Sequence, residues 1–366
     1  MTRHRIRTIT IEGFTSIRSA AVDLGDLNVL VGANGAGKSN FVSALALLGR
    51  IVDGELNLFV GQAGGAGVLL HNGAKGDAAI RIRLDFAPNG YEAVLVPAAN
   101  DELIFRSETV WFHGEGYDRP WTGSLGAGHR ETRLNEEATR SGGAVAGYVT
   151  EILRGCRVFH FHDTSASAPV KQTSYAADNV TLHPDARNLA PVLLRLRETD
   201  PATYQRIVRD IQRVAPFFRD FVLIEQNERL RLRWQQEGAD TVFPASALSD
   251  GTLRFICLAT LLNLPELPRL VVLDEPELGL HPYAIVQLAD MLRATSRTSQ
   301  VVIATQSVTL MDQFALDDLI VVERHDGASS FTRPSPEQLR DWLEDYSLGE
   351  LWQKNLLGGR PRPEHG

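Results

Sequence analysis

The sequence predicts an α/β protein with a mixed central sheet, an antiparallel β lobe and a helical lobe. Three observations predict it. The apolar run Leu27-Asn28-Val29-Leu30-Val31 passes directly into a glycine loop and then into Phe41, Leu45 and Leu48 at helical spacing. A second apolar run, Leu270-Val271-Val272-Leu273, ends on an acidic pair and is followed by a helix from about Tyr283 to Thr295 and strands at Val301 to Ala304 and Leu319 to Val322. Between these α/β halves lie short strand-like pieces and one helical stretch, with neither an internal repeat nor a heptad pattern.

Taken in order, residues 1–50 open on an alternation. Ile6, Thr8, Thr10 and Glu12 fall on one side and Arg7, Ile9 and Ile11 on the other, so a strand is expected, turning at Gly13 into a second strand near Ala20 to Leu24. Residues 51–155 are glycine-rich and broken into Ile80 to Phe86, Glu92 to Val96 and Leu103 to Phe105, which predicts an antiparallel lobe with mobile loops at Gly61 to Gly67 and Gly123 to Gly128. In residues 156–246, Leu189, Leu193, Leu196, Tyr204, Ile207, Ile211 and Val214 recur at helical spacing, punctuated by Pro191, Pro201 and Pro216. A hairpin of Val222 to Glu225 and Leu230 to Trp234, turning at Asn227, is expected next. Residues 247–325 return to α/β form, and residues 326–366 are a tail with a helical patch from Glu337 to Leu348. The whole chain, 1–366, reads as one unit.

Composition removes several function classes. With 43% hydrophobic and 22% charged residues the chain is neither disordered nor fibrous. Its 37 basic and 45 acidic residues leave a net charge of −8, so no global field draws it onto nucleic acid or anionic lipid, and any such contact must be local. Cys156 and Cys257 make neither a disulfide framework nor a zinc site, which fits a reducing, cytoplasmic setting. The longest apolar run, Phe255 to Leu264, is too short to span a bilayer, and no apolar signal core follows Thr2 to Arg7, so neither membrane contact nor export is expected. Only four of the basic residues are lysines, and one of them, Lys38, sits in the glycine loop, where a compact ammonium fits among phosphates as a guanidinium does not.

Gly32-Ala33-Asn34-Gly35-Ala36-Gly37-Lys38-Ser39 is a complete Walker A pattern. Its glycines let backbone N–H groups turn inward around phosphates, Lys38 reaches the outer phosphate oxygens, and the Ser39 hydroxyl is placed to ligate magnesium. The N-terminus of the following helix adds partial positive charge. Leu270 to Leu273 with Asp274-Glu275-Pro276 is a Walker B pattern, in which a central strand carries two carboxylates to its C-terminal edge. Asp274 would hold magnesium through water and Glu275 would orient and deprotonate an attacking water.

A third element, Ala247-Leu248-Ser249-Asp250-Gly251-Thr252, opens the helix Leu253 to Leu262 shortly before the acidic pair. It resembles the Leu-Ser-x-Gly signature of ABC-type ATPases. Over nearly its full length the chain resembles the RecF/SMC-like branch of those enzymes, specifically the stand-alone AAA-type predicted ATPases. The resemblance is carried by Ile9 to Ile17, by Leu27 to Gly35, by Phe159-His160-Phe161-His162-Asp163-Thr164-Ser165, by Asp274 to Pro282 and by Trp342 to Trp352.

The resemblance implies a P-loop NTPase of the ABC-ATPase head type with a helical signature lobe. It further implies that Gly32, Ala33, Asn34, Gly35, Ala36, Gly37, Lys38, Ser39 and Asn40 hold ATP, that Ser39 and Asp274 hold Mg2+, and that Lys38, Glu275 and Gln306 carry hydrolysis. Ser249, Asp250 and Gly251 would face the γ-phosphate held by a second copy, making a homodimer around two ATP molecules, and Glu277 to His281 would be the D-loop at that interface. Gln62 is a candidate for the Q-loop contact to the metal, with His160 and His162 competing for that place; for the histidines, strand-end packing is an equal reading.

Two departures change the expectation. The switch position, commonly histidine in this superfamily, reads Thr305-Gln306-Ser307, and a glutamine orients water by hydrogen bonds without carrying a proton, which predicts slow turnover. The stretch between Walker A and signature holds no coiled coil and no nuclease domain is appended, so neither bridging arms nor nuclease activity is expected. Partners implied are a second copy and duplex DNA, as in RecF-like repair ATPases; the alternative is a protein effector in a defence or toxin-like system, and a transporter subunit is a third reading. The arginines at 3, 5 and 7, at 195 and 197, and at 229, 231 and 233 are candidate phosphate contacts, although Arg229-Leu230-Arg231-Leu232-Arg233-Trp234 also has the alternation of a half-buried strand with a solvated face.

Overall fold

The computed structural model describes residues 5–71, 73, 78–114, 116, 118–343 and 345–358; Arg3, Lys75 and Glu344 fall outside these. The two apolar runs sit inside a six-stranded sheet. Its order is Ala328–Thr332, Leu319–His325, Leu27–Val31, Gln300–Thr305, Leu270–Asp274 and Cys156–Phe159, and all but the Ala328–Thr332 edge strand run parallel. Every residue of Leu27–Val31 and of Gln300–Thr305 is buried, as strands covered on both faces require.

Alternate residues of these strands feed two separate cores. Val29, Val31, Val271 and Leu273 point into a core shared with the helices Leu189–Thr199, Pro201–Val214, Asp250–Leu262 and Pro282–Ser296. Leu30, Val272, Val302 and Ala304 point the other way, against the helices Lys38–Asp53 and Ala144–Arg154 and the antiparallel lobe. Phe41, Leu45 and Leu48 of the Lys38–Asp53 helix are fully buried there, each contributing about 1.5–3 kcal/mol by removal from water.

The antiparallel lobe is a six-stranded sheet in the order Ile17–Asp23, Thr8–Phe14, Ile80–Phe86, Asn89–Pro97, Leu103–Phe112 and Trp121–Gly126. The N-terminal hairpin therefore belongs to this lobe, and its turn falls at Thr15 and Ser16, two residues later than expected, with Gly13 inside the strand at φ 72°. The expected loop at Gly61 to Gly67 is largely helical, in Leu56–Gln62 and Ala66–Leu69, and Gly123 to Gly126 lie in the last strand. Glycine frequency misled at both places, because packing against the sheet fixes backbones that propensity alone leaves open. The hairpin near Asn227 is also shifted: Phe218–Phe221 pairs with Arg233–Gln236, Arg229–Leu230 pairs with Ser174–Tyr175, and Asn227 and Glu228 turn at positive φ. The tail patch is two helices, Pro336–Leu343 and Leu348–Gln353.

One buried polar cluster pins the antiparallel lobe. Glu108 is fully buried, and its carboxyl accepts from the Tyr91 hydroxyl at 2.8 Å, the Arg133 N–H at 3.1 Å and the Thr132 hydroxyl, with His129 Nε2 at 3.0 Å. Glu108→Ala strands these donors in a dry site and is expected to cost about 3 kcal/mol or more. A urea midpoint within error of wild type would contradict that account of the cluster.

Candidate functional site

Parallel register places four loops side by side. Thr305 pairs with Val31, Asp274 with Ala304, and Phe159 with Leu273, so the glycine loop, the switch, the acidic pair and the His160 segment leave adjacent strand ends in that order. This is the edge at which open α/β sheets bind their ligands.

The loop is held open from behind. Lys38 is 5% exposed and donates from Nζ to the carbonyls of Gly32 at 2.8 Å and Ala33 at 3.0 Å. Gly35 and Gly37 adopt φ of 76° and 118°, and a Cβ on Gly37 would lie 2.1 Å from Ser329 Oγ, so neither position accepts an ordinary side chain. Gly32 is equally confined, since a Cβ there would meet the Val322 carbonyl oxygen at 2.3 Å. No side chain caps the Lys38–Asp53 helix, which leaves its first N–H groups for an anion.

Ser16 and Ser329 complete the support. Ser329 Oγ lies 2.6 Å from the Ala36 carbonyl and 2.6 Å from Ser16 Oγ, which in turn accepts from Asn40 Nδ2 at 2.6 Å. Asn40 thus buttresses the loop from its outer side. Ser16 lies within the Ile9 to Ile17 stretch but had no role assigned to it, and Ser329 carried no motif signal, because their role depends on two distant strands meeting behind the loop.

The acidic pair carries the electrostatics. Burial, with Glu275 adding repulsion, pushes the Asp274 carboxyl above the usual range, and the nearby Ser39 hydroxyl opposes that shift. Asp274 Oδ1 is buried without a partner. Burial lowers Lys38, while Glu275, Asp274 and Glu277 pull it back up. A buried carboxylate oxygen beside a hydroxyl is the arrangement a cation would satisfy. Among the described residues no three His, Cys, Asp or Glu side chains cluster as a metal site; Mg2+ needs only one or two protein ligands beside water and phosphate. Ser39 and Asp274 would hold it, and it would supply charge neutralisation at the outer phosphates.

Glu275 stands at φ 44°, a strained value for this residue, and its N–H donates to the Ala304 carbonyl at 2.8 Å. Gln306 donates from Nε2 to Glu275 Oε1. The switch residue and the would-be general base are therefore in direct contact.

Gln62 is not at this edge. It ends the Leu56–Gln62 helix, exposed, on an element that packs against the Leu103–Phe112 strand of the other lobe. The strand beside Asp274 in the parallel sheet, Cys156–Phe159, leads to His160 and His162. His162 Nε2 lies 2.9 Å from the Asp274 carbonyl oxygen, and burial lowers His160 while Asp274 opposes the shift.

Ser249 caps the Asp250–Leu262 helix, accepting from the Thr252 N–H at 3.2 Å, and Ser249 and Asp250 are exposed. Gly251 lies against the 277–281 turn, where a Cβ would approach the Gly279 carbonyl oxygen to 2.4 Å. Arg254, one turn further on, ties three segments together: it donates to the carbonyls of Leu278 at 2.6 Å, His162 at 2.9 Å and Phe161 at 3.2 Å. Sequence reading missed Arg254, because its partners are backbone oxygens with no motif of their own.

Five of the candidate arginines are engaged within the fold. Arg5 binds Asp26 and the Ser296 carbonyl, Arg195 the Val180 carbonyl, and Arg197 the Leu223 carbonyl. Leu230, Leu232 and Trp234 are buried, while Arg229 stacks over Tyr175 and Arg231 bonds Thr173. That is the half-buried strand with a solvated face. No helix among the described residues is long and apolar enough to cross a membrane.

Fold and site together define a P-loop ATPase head of the RecF/SMC-like ABC type. The chain belongs to the family described as "AAA domain, putative AbiEii toxin, Type IV TA system", whose model matches residues 27–312. No functionally curated protein is significantly similar to it in sequence. Among solved structures it is similar to an Smc head bound to the C-terminal winged-helix domain of ScpA, with TM-score 0.55 and 18% identity over 92% of this chain and 99% of that one. It is also similar to Smc heads with coiled coils from Pyrococcus furiosus, with TM-score 0.54 and 16% identity over 93% of this chain and 99% of that one, and from Pyrococcus yayanosii, with TM-score 0.51 and 14% identity over 93% and 99%. At these identities the likeness is one of fold.

Proposed function

We propose that the chain binds and hydrolyses ATP with Mg2+ and that ATP drives two copies together. The observation that carries hydrolysis is the row of strand ends at which Ser39 meets Asp274 and Gln306 meets Glu275. Lys38 and the loop N–H groups take the phosphates, Glu275 takes a proton from the attacking water, and Gln306 holds Glu275 in place. Ser249, exposed at the N-terminus of the helix it caps, supports the dimer, since a helix N-terminus suits a γ-phosphate brought by a second copy.

What the cycle acts on has two readings. The resemblance of the sequence to RecF-like repair ATPases suggests DNA. The engagement of Arg5, Arg195, Arg197, Arg229 and Arg231 within the chain favours the second, a protein effector in a defence or toxin-like system, which the family's description also suggests. Steady-state hydrolysis measured against protein concentration, with and without duplex DNA and with Glu275→Gln as blank, tests both. Specific activity that climbs with concentration supports the dimer, and activity indifferent to concentration counts against it. Stimulation by DNA favours the first reading, and indifference to DNA the second.

The glutamine switch supports a slow enzyme. Gln306→His restores a group that shuttles protons and is expected to raise kcat severalfold, up to about tenfold. A rate no higher than wild type in single-turnover hydrolysis would count against that explanation.

A further inference from the structure

A second side-chain bridge runs parallel to the one between Glu275 and Gln306. Thr305 Oγ1 donates to Glu277 Oε1 and accepts the Ser307 N–H at 2.9 Å. The Gln306 backbone N–H also faces the Glu277 carboxyl. Thr305 is 0% exposed and Glu277 8%, and Glu277 Oε2 is buried without a partner. Burying a carboxyl that leaves one oxygen unsatisfied costs free energy, so packing alone does not account for a glutamate here. What it contacts is the switch. Residues 305 and 307 flank Gln306, and the Glu277–Thr305 pair fixes both: one through the hydroxyl, the other through the N–H that the same hydroxyl accepts. The Gln306 side chain has three rotatable bonds, so its place on Glu275 depends on the backbone turn from which it departs.

We propose that Glu277 is a positioning residue for hydrolysis, holding the switch turn through Thr305 so that the Gln306 carboxamide stays on Glu275. The proposal rests on the hydrolytic reading of Glu275 and Gln306. It extends that reading to a side chain that acts through Thr305, and it joins the 277–281 turn to the switch in one hydrogen-bonded unit.

The test uses the full-length chain and five variants: Glu277→Ala, Glu277→Gln, Thr305→Val, Thr305→Ser and the double Glu277→Ala/Thr305→Val. Expected is a fall in kcat of about tenfold or more for Glu277→Ala and for Thr305→Val, with ATP affinity and KM within about threefold of wild type. Glu277→Gln keeps an acceptor and Thr305→Ser keeps a donor, so both are expected near wild type. The double variant is expected to be no slower than the slower single, because both substitutions cut the same link. The proposal is overturned if Glu277→Ala retains wild-type kcat, if Glu277→Gln is as slow as Glu277→Ala, or if the double variant falls by the product of the singles. A wild-type chain that does not hydrolyse ATP overturns the hydrolytic reading as well, whereas an active wild type with unaffected variants overturns this proposal alone.

Discussion

Glu275→Gln is expected to bind ATP as wild type does and to lose turnover by about 10²–10⁴-fold, the range that a positioned general base contributes. The substitution is nearly isosteric, so the 275–280 turn, its N–H bond to Ala304 and the neighbouring Asp274 are left in place. What disappears is the carboxylate that accepts the Gln306 side-chain N–H and takes the proton. Removing a carboxylate also relieves the repulsion that helps raise Asp274, so Mg2+ and nucleotide are held at least as well as before. In the proposed cycle ATP holds two copies together, so a variant that binds ATP without hydrolysing it is expected to accumulate as an ATP-bound dimer on size exclusion. Turnover within about threefold of wild type would remove Glu275 from the role of base.

Lys38→Ala is expected to have the largest effect on binding, lowering ATP affinity by about 100-fold or more, which corresponds to about 2.7 kcal/mol. Lys38 is the group that balances Asp274, Glu275 and Glu277 around the loop, and without it the site presents an excess of carboxylates to an incoming triphosphate. The carbonyls of Gly32 and Ala33 also lose their donor. Lys38→Arg is expected to fail too, because a planar guanidinium does not fit a site shaped for a compact ammonium that is 5% exposed. Titration with a fluorescent ATP analogue decides the matter, and affinity within about threefold of wild type for Lys38→Ala contradicts the assignment.

The site's chemistry was written in short contiguous motifs, and those were legible. A glycine loop between a buried strand and a helix, and an acidic pair at a strand end, leave few physical alternatives, so Gly32 to Ser39 and Asp274-Glu275 stand out from residues alone, and they lie at the same edge of the parallel sheet. What remained hidden depends on tertiary meetings. Ser16 and Ser329 lie 2.6 Å apart behind the loop, yet 313 positions separate them in the chain. Arg254 acts on carbonyl oxygens, which every residue has, so its sequence neighbours gave no cue. Gln62 drew notice because glutamine near a glycine loop fits the Q-loop description, but its helix packs against the outer lobe, and which residues stand beside Asp274 follows from strand order, which is not a local property. In the same way the alternation of Ile9 and Ile11 marked a strand without saying that it pairs with Ile80–Phe86 in the outer lobe rather than with the central sheet.

The claim that each hydrolytic site is completed by a second copy is tested most directly by mixing two inactive chains. Ser249→Arg blocks the signature and keeps Walker A and B intact, while Glu275→Gln lacks the base and keeps its signature. In a mixed dimer one site then has Lys38, Asp274 and Glu275 from the first chain opposite Ser249 from the second. The account predicts ATP hydrolysis from the mixture that neither variant shows alone; a mixture no more active than the sum of its two components would contradict it.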